Sequence, residues 1–162
     1  MERILTVILH DIRSSQNVGS IFRTADAAGV SKMYLTGYTP GPKDRFGRIN
    51  TEFAKTSLGA EAYVPWEAKA DIFALITELK KKGVRVIAVE QSARAVPYME
   101  LRAPASVAFI FGNEVTGIPE EVLAQCDAAI EIPMHGKKES LNVSVAAGII
   151  LFRARENLTI NT

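Results

Sequence analysis

Residues 4–29 read ILTVILHDIRSSQNVGSIFRTADAAG, and their order decides the fold class. Residues 4–9 are β-branched and almost wholly apolar, which predicts a strand buried on both faces. Residues 10–16 are polar and read as a loop. A helix is predicted from 17 or 18 to 28, with Asn17 as N-cap and Gly29 at the left-handed position just past its end. The pattern repeats outward. Residues 32–36 form a second short strand, and 37–50 a long loop with three Gly and two Pro. That loop carries Lys43, Arg45 and Arg48 against Asp44. A short helix over 51–58 is closed by Gly59, and 60–64 reads as a third strand. Over 71–82, Ile72, Leu75, Ile76 and Leu79 fall on one helical face, and Lys80, Lys81 and Lys82 suit the carbonyl end of the dipole. Strands follow at 84–89 and 107–111. Pro119 opens a short helix to about 125 with Glu120 and Glu121 in its first turn. A strand at 128–132, a loop at 133–139 and a final helix over 142–157 complete the chain. Strands alternating with helices predict an α/β protein: a parallel sheet with helices on both faces. Such sheets bind ligands beyond the carboxyl ends of their strands. No internal repeat or linker divides the sequence, so residues 1–162 are expected to form one domain.

The composition narrows the function classes. The 162 residues are 48% hydrophobic and 23% charged, which are globular values. Nineteen Lys and Arg against 18 Asp and Glu leave a formal +1. That excludes a strongly polybasic protein but leaves room for a local basic patch. The single cysteine, Cys126, excludes an intramolecular disulfide and a cysteine-based zinc cluster. Two histidines, His10 and His135, leave little for a His-based site, so no metal is expected. The apolar run at 4–9 is too short for a signal segment, and 145–152 is far below the roughly 20 residues that span a bilayer. A soluble cytoplasmic protein with no membrane partner is expected, where a free thiol is at home.

Three polar clusters lie just after predicted strands: HDIRSSQNVGSIFR at 10–23, GNEVTG at 112–117 and IPMHGKKESLN at 132–142. All three are able to meet at one sheet edge. Neither a G-x-G-x-x-G nor a P-loop is present, and no G-x-S-x-G marks a hydrolase elbow. Taken singly, each residue has a plainer reading. Asn17 serves as a cap, Arg23 as surface charge, Glu114 as a solvated turn residue, and Ser140 and Asn142 as caps of the last helix. Lys137 and Lys138 read as solvated loop, and His135 as a bystander. The loop at 37–50 is long enough to carry function.

Taken together, the segments NVGSIFRTADAAG, FGNEVTGI and IEIPMHGKKESLNVSVAAGIILF resemble the SpoU/TrmH branch of the SPOUT RNA methyltransferases. The resemblance covers three motifs in order over nearly the whole chain, and KTSLGAEAYVPW at 55–66 looks like the family's second-helix and third-strand region. It implies a parallel α/β sheet whose C-terminal part forms a deep trefoil knot, a feature nearly absent from proteins at large. It implies S-adenosylmethionine as cofactor, bound bent in the knot, and a 2′-O-methyl ribose in RNA as product, with tRNA ahead of rRNA. The rival reading is a catalytically silent RNA-binding module of the same fold. By the same resemblance Asn17, Arg23, Glu114 and Ser140 belong to the catalytic set, and Gly112, Asn113, Ser140 and Asn142 to the cofactor site. A homodimer with the active site beside the interface is implied as well.

The residue chemistry agrees. Gly112 lets the chain approach closely, and Ile132, Met134 and Leu141 are able to cover an adenine. The sulfonium already activates the methyl group, so the enzyme must align the ribose hydroxyl and stabilise the developing alkoxide. Guanidinium stays charged, which casts Arg23 as electrostatic stabiliser and phosphate anchor rather than base. Asn17 is expected to orient Arg23 or the ribose, Ser140 to hold a phosphate or polarise Arg23, and Glu114 to brace the cofactor loop and the arginine. RNA contact is expected from Arg13, Lys43, Arg45, Arg48 and Lys55, mostly to phosphates. With its first strand opening at Ile4 and little sequence past the last helix, RNA recognition is expected from the core surface or a partner. The last helix carries Val143, Val145, Ala146, Ala147, Ile149, Ile150, Leu151 and Phe152 around its whole circumference, which calls for burial on all sides and hence a second subunit.

Overall fold

The structure is a computed structural model that describes residues 3–102 and 104–160, with side chains through 157. Seven strands form one sheet: β1 (Ile4–His10), β2 (Lys32–Thr36), β3 (Trp66–Lys69), β4 (Arg85–Val89), β5 (Val96–Pro97), β6 (Ser106–Phe111) and β7 (Ala128–Glu131). Their order is β3-β2-β1-β6-β4-β7-β5, and every pairing is parallel. The helices are α1 (Ser15–Ala28), α2 (Thr51–Ser57), α3 (Ile72–Lys81), α4 (Glu120–Leu123) and α5 (Val143–Ile160).

The two-residue period of the strands sorts the core into two layers. Leu5, Val7 and Leu9 of β1 pack with Val18, Ile21 and Phe22 of α1, Phe53 of α2, and Ala147, Ile150, Leu151 and Ala154 of α5. Ile8, one step out of phase, packs on the other face with Leu75, Ile76 and Leu79 of α3 and Val122 and Leu123 of α4. Helices therefore cover both faces, which is why β1, β4 and β6 read as continuous apolar runs.

Several boundaries differ from the sequence reading. Ser14, not Asn17, caps α1: its side chain accepts from the Asn17 N–H at 3.1 Å, and the helix starts a turn early. Gly29 takes the left-handed C-cap conformation as expected, with φ 68°. Residues 60–64 are not a strand. Leu58 and Gly59 both adopt positive φ, so the chain leaves α2 by folding back into a 3₁₀ turn, Ala60–Ala62. Ala60 and Val64, four apart, plug the α1 side of the core. The third strand comes later, as the edge strand Trp66–Lys69, whose residues alternate between exposed and half-buried. The two-residue β5 closes the opposite edge and contains Pro97, a residue tolerated only at edges. Within α5, Ala147, Ile150 and Leu151 are buried, whereas Val145 is 50% and Phe152 46% exposed. One face of the apolar helix is uncovered in the single chain. No helix of the described residues is long and apolar enough to cross a membrane.

Candidate functional site

The loops after β1, β6, β4 and β7 rise from four adjacent strands and enclose one cleft at the carboxyl edge of the sheet. This is where the reversal of strand order opens a crevice in α/β proteins. Its larger, polar part is about 580 Å³, inside the usual range for small-molecule sites, and holds Asn17, Asn113, Glu114, Thr116 and Asn142. A smaller part of about 140 Å³ is lined by Ile132, Met134 and Leu141. Both parts share Val89, Glu90, Gln91, Ser140, Leu141 and Ala146, so they are continuous.

A hydrogen-bonded relay joins the three polar clusters. The backbone N–H groups of Arg13 and Ser14 donate to the Glu114 carboxylate, each at 3.0 Å. Asn17 Nδ2 donates to Glu114 Oε1 at 3.2 Å, and Asn142 Nδ2 donates to Asn17 Oδ1 at 3.1 Å. Asn142 Oδ1 in turn accepts from the Ser144 N–H at 2.9 Å at the start of α5. Asn113 is buried and holds the turn after β6: Oδ1 accepts from the Val115 and Thr116 N–H groups, and Nδ2 donates to the Asp11 carbonyl and the Tyr38 hydroxyl. Gly112 is required there, since a Cβ would stand 2.6 Å from Ile118 and 2.7 Å from the Gly117 backbone.

The charges follow from these contacts. Partial burial pushes the Glu114 carboxyl up, but the N–H groups of Arg13 and Ser14 and the Asn17 amide outweigh it and hold the group below the ordinary carboxylate value. Glu114 therefore sits in the cleft as an anion. No acidic residue lies in the first turn of α1, so Glu114 supplies from across the sheet the negative charge that favours a helix N-terminus. Burial lowers the pKa of His10 at the end of β1, against the opposing pull of Asp11, and its Nδ1 hydrogen-bonds Thr36 Oγ1 at 2.9 Å. His10 is a neutral packing residue at neutral pH.

A family model described as SpoU rRNA Methylase family matches residues 4–152. The chain belongs to that family. It is 35% identical over 153 residues to the 23S rRNA (guanosine-2'-O-)-methyltransferase RlmB of Xanthomonas axonopodis pv. citri, covering 94% of this chain and 58% of the relative. The chain thus spans a little over half the length of that relative. A crystal structure of an AdoMet-bound rRNA methyltransferase from Sinorhizobium meliloti superposes with a TM-score of 0.87 at 33% identity, over 98% of this chain and 58% of that one. A structure described as giving insight into 2-OH methylation of C/U34 on tRNA superposes at 0.79 with 31% identity, over 97% of both chains.

In this SpoU-family chain the motif residues Asn17, Gly112, Asn113, Glu114, Ser140 and Asn142 all line the cleft, as do Ile132, Met134 and Leu141. Arg23 lies elsewhere. It is on the exposed side of α1, in a separate depression with Ser20, Thr24, Lys55, Thr56 and Phe152. Neither Asn17, whose amide is taken by Glu114 and Asn142, nor Glu114 touches it. The five cations expected to meet RNA are exposed. Two of them are already paired, Arg48 Nε with Asp44 at 2.8 Å and Lys55 with Glu52 at 2.6 Å. The loop at 37–50 is organised, not slack. Asp44 Oδ1 accepts from the Phe46 and Arg48 N–H groups, and Asn50 caps α2 and bonds Ser15 and the Gly41 carbonyl. Lys43 pairs with Ile49 across that loop in a lone bridge, and Arg45 and Arg48 stack on the exposed Phe46 ring. Sequence reasoning missed Glu90, Gln91 and Tyr38. The available signal was position: the first two follow a central strand, and Tyr38 opens the long loop.

Proposed function

We propose that this chain transfers the methyl group of S-adenosylmethionine to a ribose 2′-hydroxyl of RNA, with tRNA ahead of rRNA. The observation that carries the reading is the Glu114–Asn17–Asn142 relay, which ties the three motifs into one cleft with an apolar part and a polar part. The donor set fits the cofactor: Ile132, Met134 and Leu141 offer cover for an adenine, and Ser140 and Asn142 offer polar contacts, while Asn113, its side chain spent on the turn, Asp11 and Tyr38, shapes the wall beside Gly112. Support also comes from the AdoMet-bound relative. The neighbour matching over nearly the full length of both chains favours tRNA.

S-adenosylmethionine supplies the activated methyl group. The chain supplies alignment and charge. Asn17, held between Glu114 and Asn142, offers its remaining amide hydrogen and lone pair to the ribose, and Ser140 at the joint of the cleft holds the neighbouring phosphate. Arg23, always cationic, stabilises the oxygen as its proton passes to solvent and it gains negative charge. We assign that role across a two-fold homodimer in which α1 and α5 meet their mates. The pairing covers Val145 and Phe152, and Phe152 also borders the Arg23 depression, which brings the guanidinium to the subunit boundary. We read residues 1–162 as one methyltransferase domain acting in the cytoplasm, with its C-terminal part threaded as a trefoil knot. The return of the chain from β7 across the loop after β4 and the start of α1, through the Gln91–Glu139 and Asn17–Asn142 contacts, supports that path. RNA is gripped by Arg13, Lys43, Arg45, Arg48 and Lys55.

The test is incubation of the protein with S-adenosylmethionine and total tRNA or rRNA, followed by digestion to nucleosides and mass spectrometry. A gain of one methyl on ribose is expected, reduced at least about 100-fold in Arg23→Ala with cofactor affinity retained. RNA binding with no methyl transferred overturns the enzyme in favour of a silent binder. Light scattering on wild type and Val145→Glu tests the dimer; a monomer mass for active wild type refutes it.

A further inference from the structure

Glu90 stands immediately beyond β4, at the carboxyl edge of the sheet, and the roles given above leave it unused. It lines both parts of the cleft, and of the residues that do so it is the one that carries a charge. Its carboxylate is fixed. Oε2 accepts from the Ile118 N–H at 2.7 Å and Oε1 from the Gln91 N–H at 3.1 Å. Room for it is made by Gly117, where a Cβ would collide with the carboxylate. Beside it Gln91 Nε2 donates to the Glu139 carbonyl at 2.7 Å, so this dipeptide ties the turn after β6 to the loop after β7.

We propose that Glu90 accepts the ribose hydroxyls of the adenosyl group, an assignment that rests on the S-adenosylmethionine reading above. The argument is one of shape and counting. A nucleoside is a flat, largely apolar base joined by one bond to a polar sugar. With the base in the part lined by Ile132, Met134 and Leu141, the sugar falls at the joint, where Glu90 is. An ionised carboxylate offers about four lone-pair sites and donates nothing. Two are spent on backbone N–H groups, which leaves one on each oxygen for a vicinal pair of O–H donors. Because the backbone bonds already hold the carboxylate in place, little side-chain freedom is lost on binding.

The competing account is that Glu90 merely clamps the turn at 113–118, and the two accounts differ in how losses combine. The full chain is titrated calorimetrically with S-adenosylhomocysteine and with its 2′-deoxy and 3′-deoxy analogues, in wild type, Glu90→Gln and Glu90→Ala. Removing a hydroxyl is expected to weaken binding to wild type by roughly 10-fold or more, the scale of one hydrogen bond to a charged group. The same removal is expected to cost Glu90→Ala less than about 2-fold, with Glu90→Gln between. Thermal melts run alongside establish that each variant is folded, and Glu90→Gln carries the comparison if Glu90→Ala is not. Equal losses for parent and deoxy ligands in every protein reduce Glu90 to a clamp and overturn the assignment. Failure of wild type to bind S-adenosylhomocysteine at all instead overturns the cofactor reading, and the Glu90 assignment with it.

Discussion

Replacing Glu114 by alanine removes one carboxylate that satisfies three N–H groups at once, from Arg13, Ser14 and Asn17. A hydrogen bond to a charged group contributes about 1.5–3 kcal/mol when its partner is left unsatisfied in the interior. The entry to α1 is only partly covered, so water replaces much of what is lost. Discounting the three bonds to roughly a third gives about 2 kcal/mol, including the lost charge at the helix N-terminus. In a chain of this length that is a fall of about 4–8 °C in Tm. Melting followed by circular dichroism, at one protein concentration for all variants, measures it. The effect has a pH signature. The folded carboxyl titrates below its ordinary value of 4.5. Its contribution is therefore complete above that value and fades as pH falls through the lower folded one. Glu114→Gln keeps one acceptor oxygen and has nothing to titrate, so it is expected to lose about 1 kcal/mol at pH 7, with the gap to wild type closing toward pH 3. An alanine variant melting within 1 °C or so of wild type at pH 7, or a glutamine gap that stays constant with pH, refutes the bracing role.

Gly19→Ala places a Cβ against the Phe53 carbonyl and the Thr56 hydroxyl where α1 crosses α2, and backbone cannot yield as a side chain does. A loss of about 1–3 kcal/mol is expected in urea unfolding. Cys126 is buried, its Sγ donates to the Val122 carbonyl, and burial pushes the thiol up to about 11 from 9.0. Its reaction with a disulfide reagent at pH 8 is expected to be roughly 100-fold slower in the native protein than in urea, and equal rates contradict the burial. Replacing Arg45 and Arg48 together is expected to weaken RNA binding and lower the log–log salt dependence by about one unit, less than two because Arg48 already faces Asp44.

The elements legible in the sequence were those buried on both sides or on a clean stripe. β1, β4, β6 and β7 announced themselves as apolar runs, and α3 through the stripe of Ile72, Leu75, Ile76 and Leu79; that Asp71 stands outside the helix as its cap is seen only in the structure. β3 was not legible, because Trp66–Lys69 is an edge strand in which Trp66 and Ala68 are exposed and Glu67 and Lys69 half-buried, the reverse of apolar-in, polar-out alternation, while the apolar residues at 60–64 serve a turn. The N-cap of α1 was misplaced because Ser14, Ser15 and Asn17 all have capping chemistry, and geometry alone chooses among them. The site motifs around Asn17, Glu114 and Asn142 stood out by type and spacing. Two things did not. Which side of α1 carries Arg23 depends on helix packing, and Glu90 has a role only because Gly117, 27 positions on, lies against it.

The relay at the cleft has a history as well as a geometry. Asn17 meets Glu114 across 97 positions and Asn142 across 125. A ribosome adding about 5–20 residues per second delivers Asn142 roughly 6–25 s after Asn17. Glu114 comes first, roughly 5–19 s after Asn17, so until then α1 exists without the anion that steadies it, and until Asn142 follows the cleft lacks its last wall. All seven strands precede α5 in the chain, so the helix closes a cleft over a sheet whose strands have already been made. A nascent chain stalled before residue 142 is expected to be blind to small ligands, and the first molecule able to fill the cleft to act as the final step of its folding.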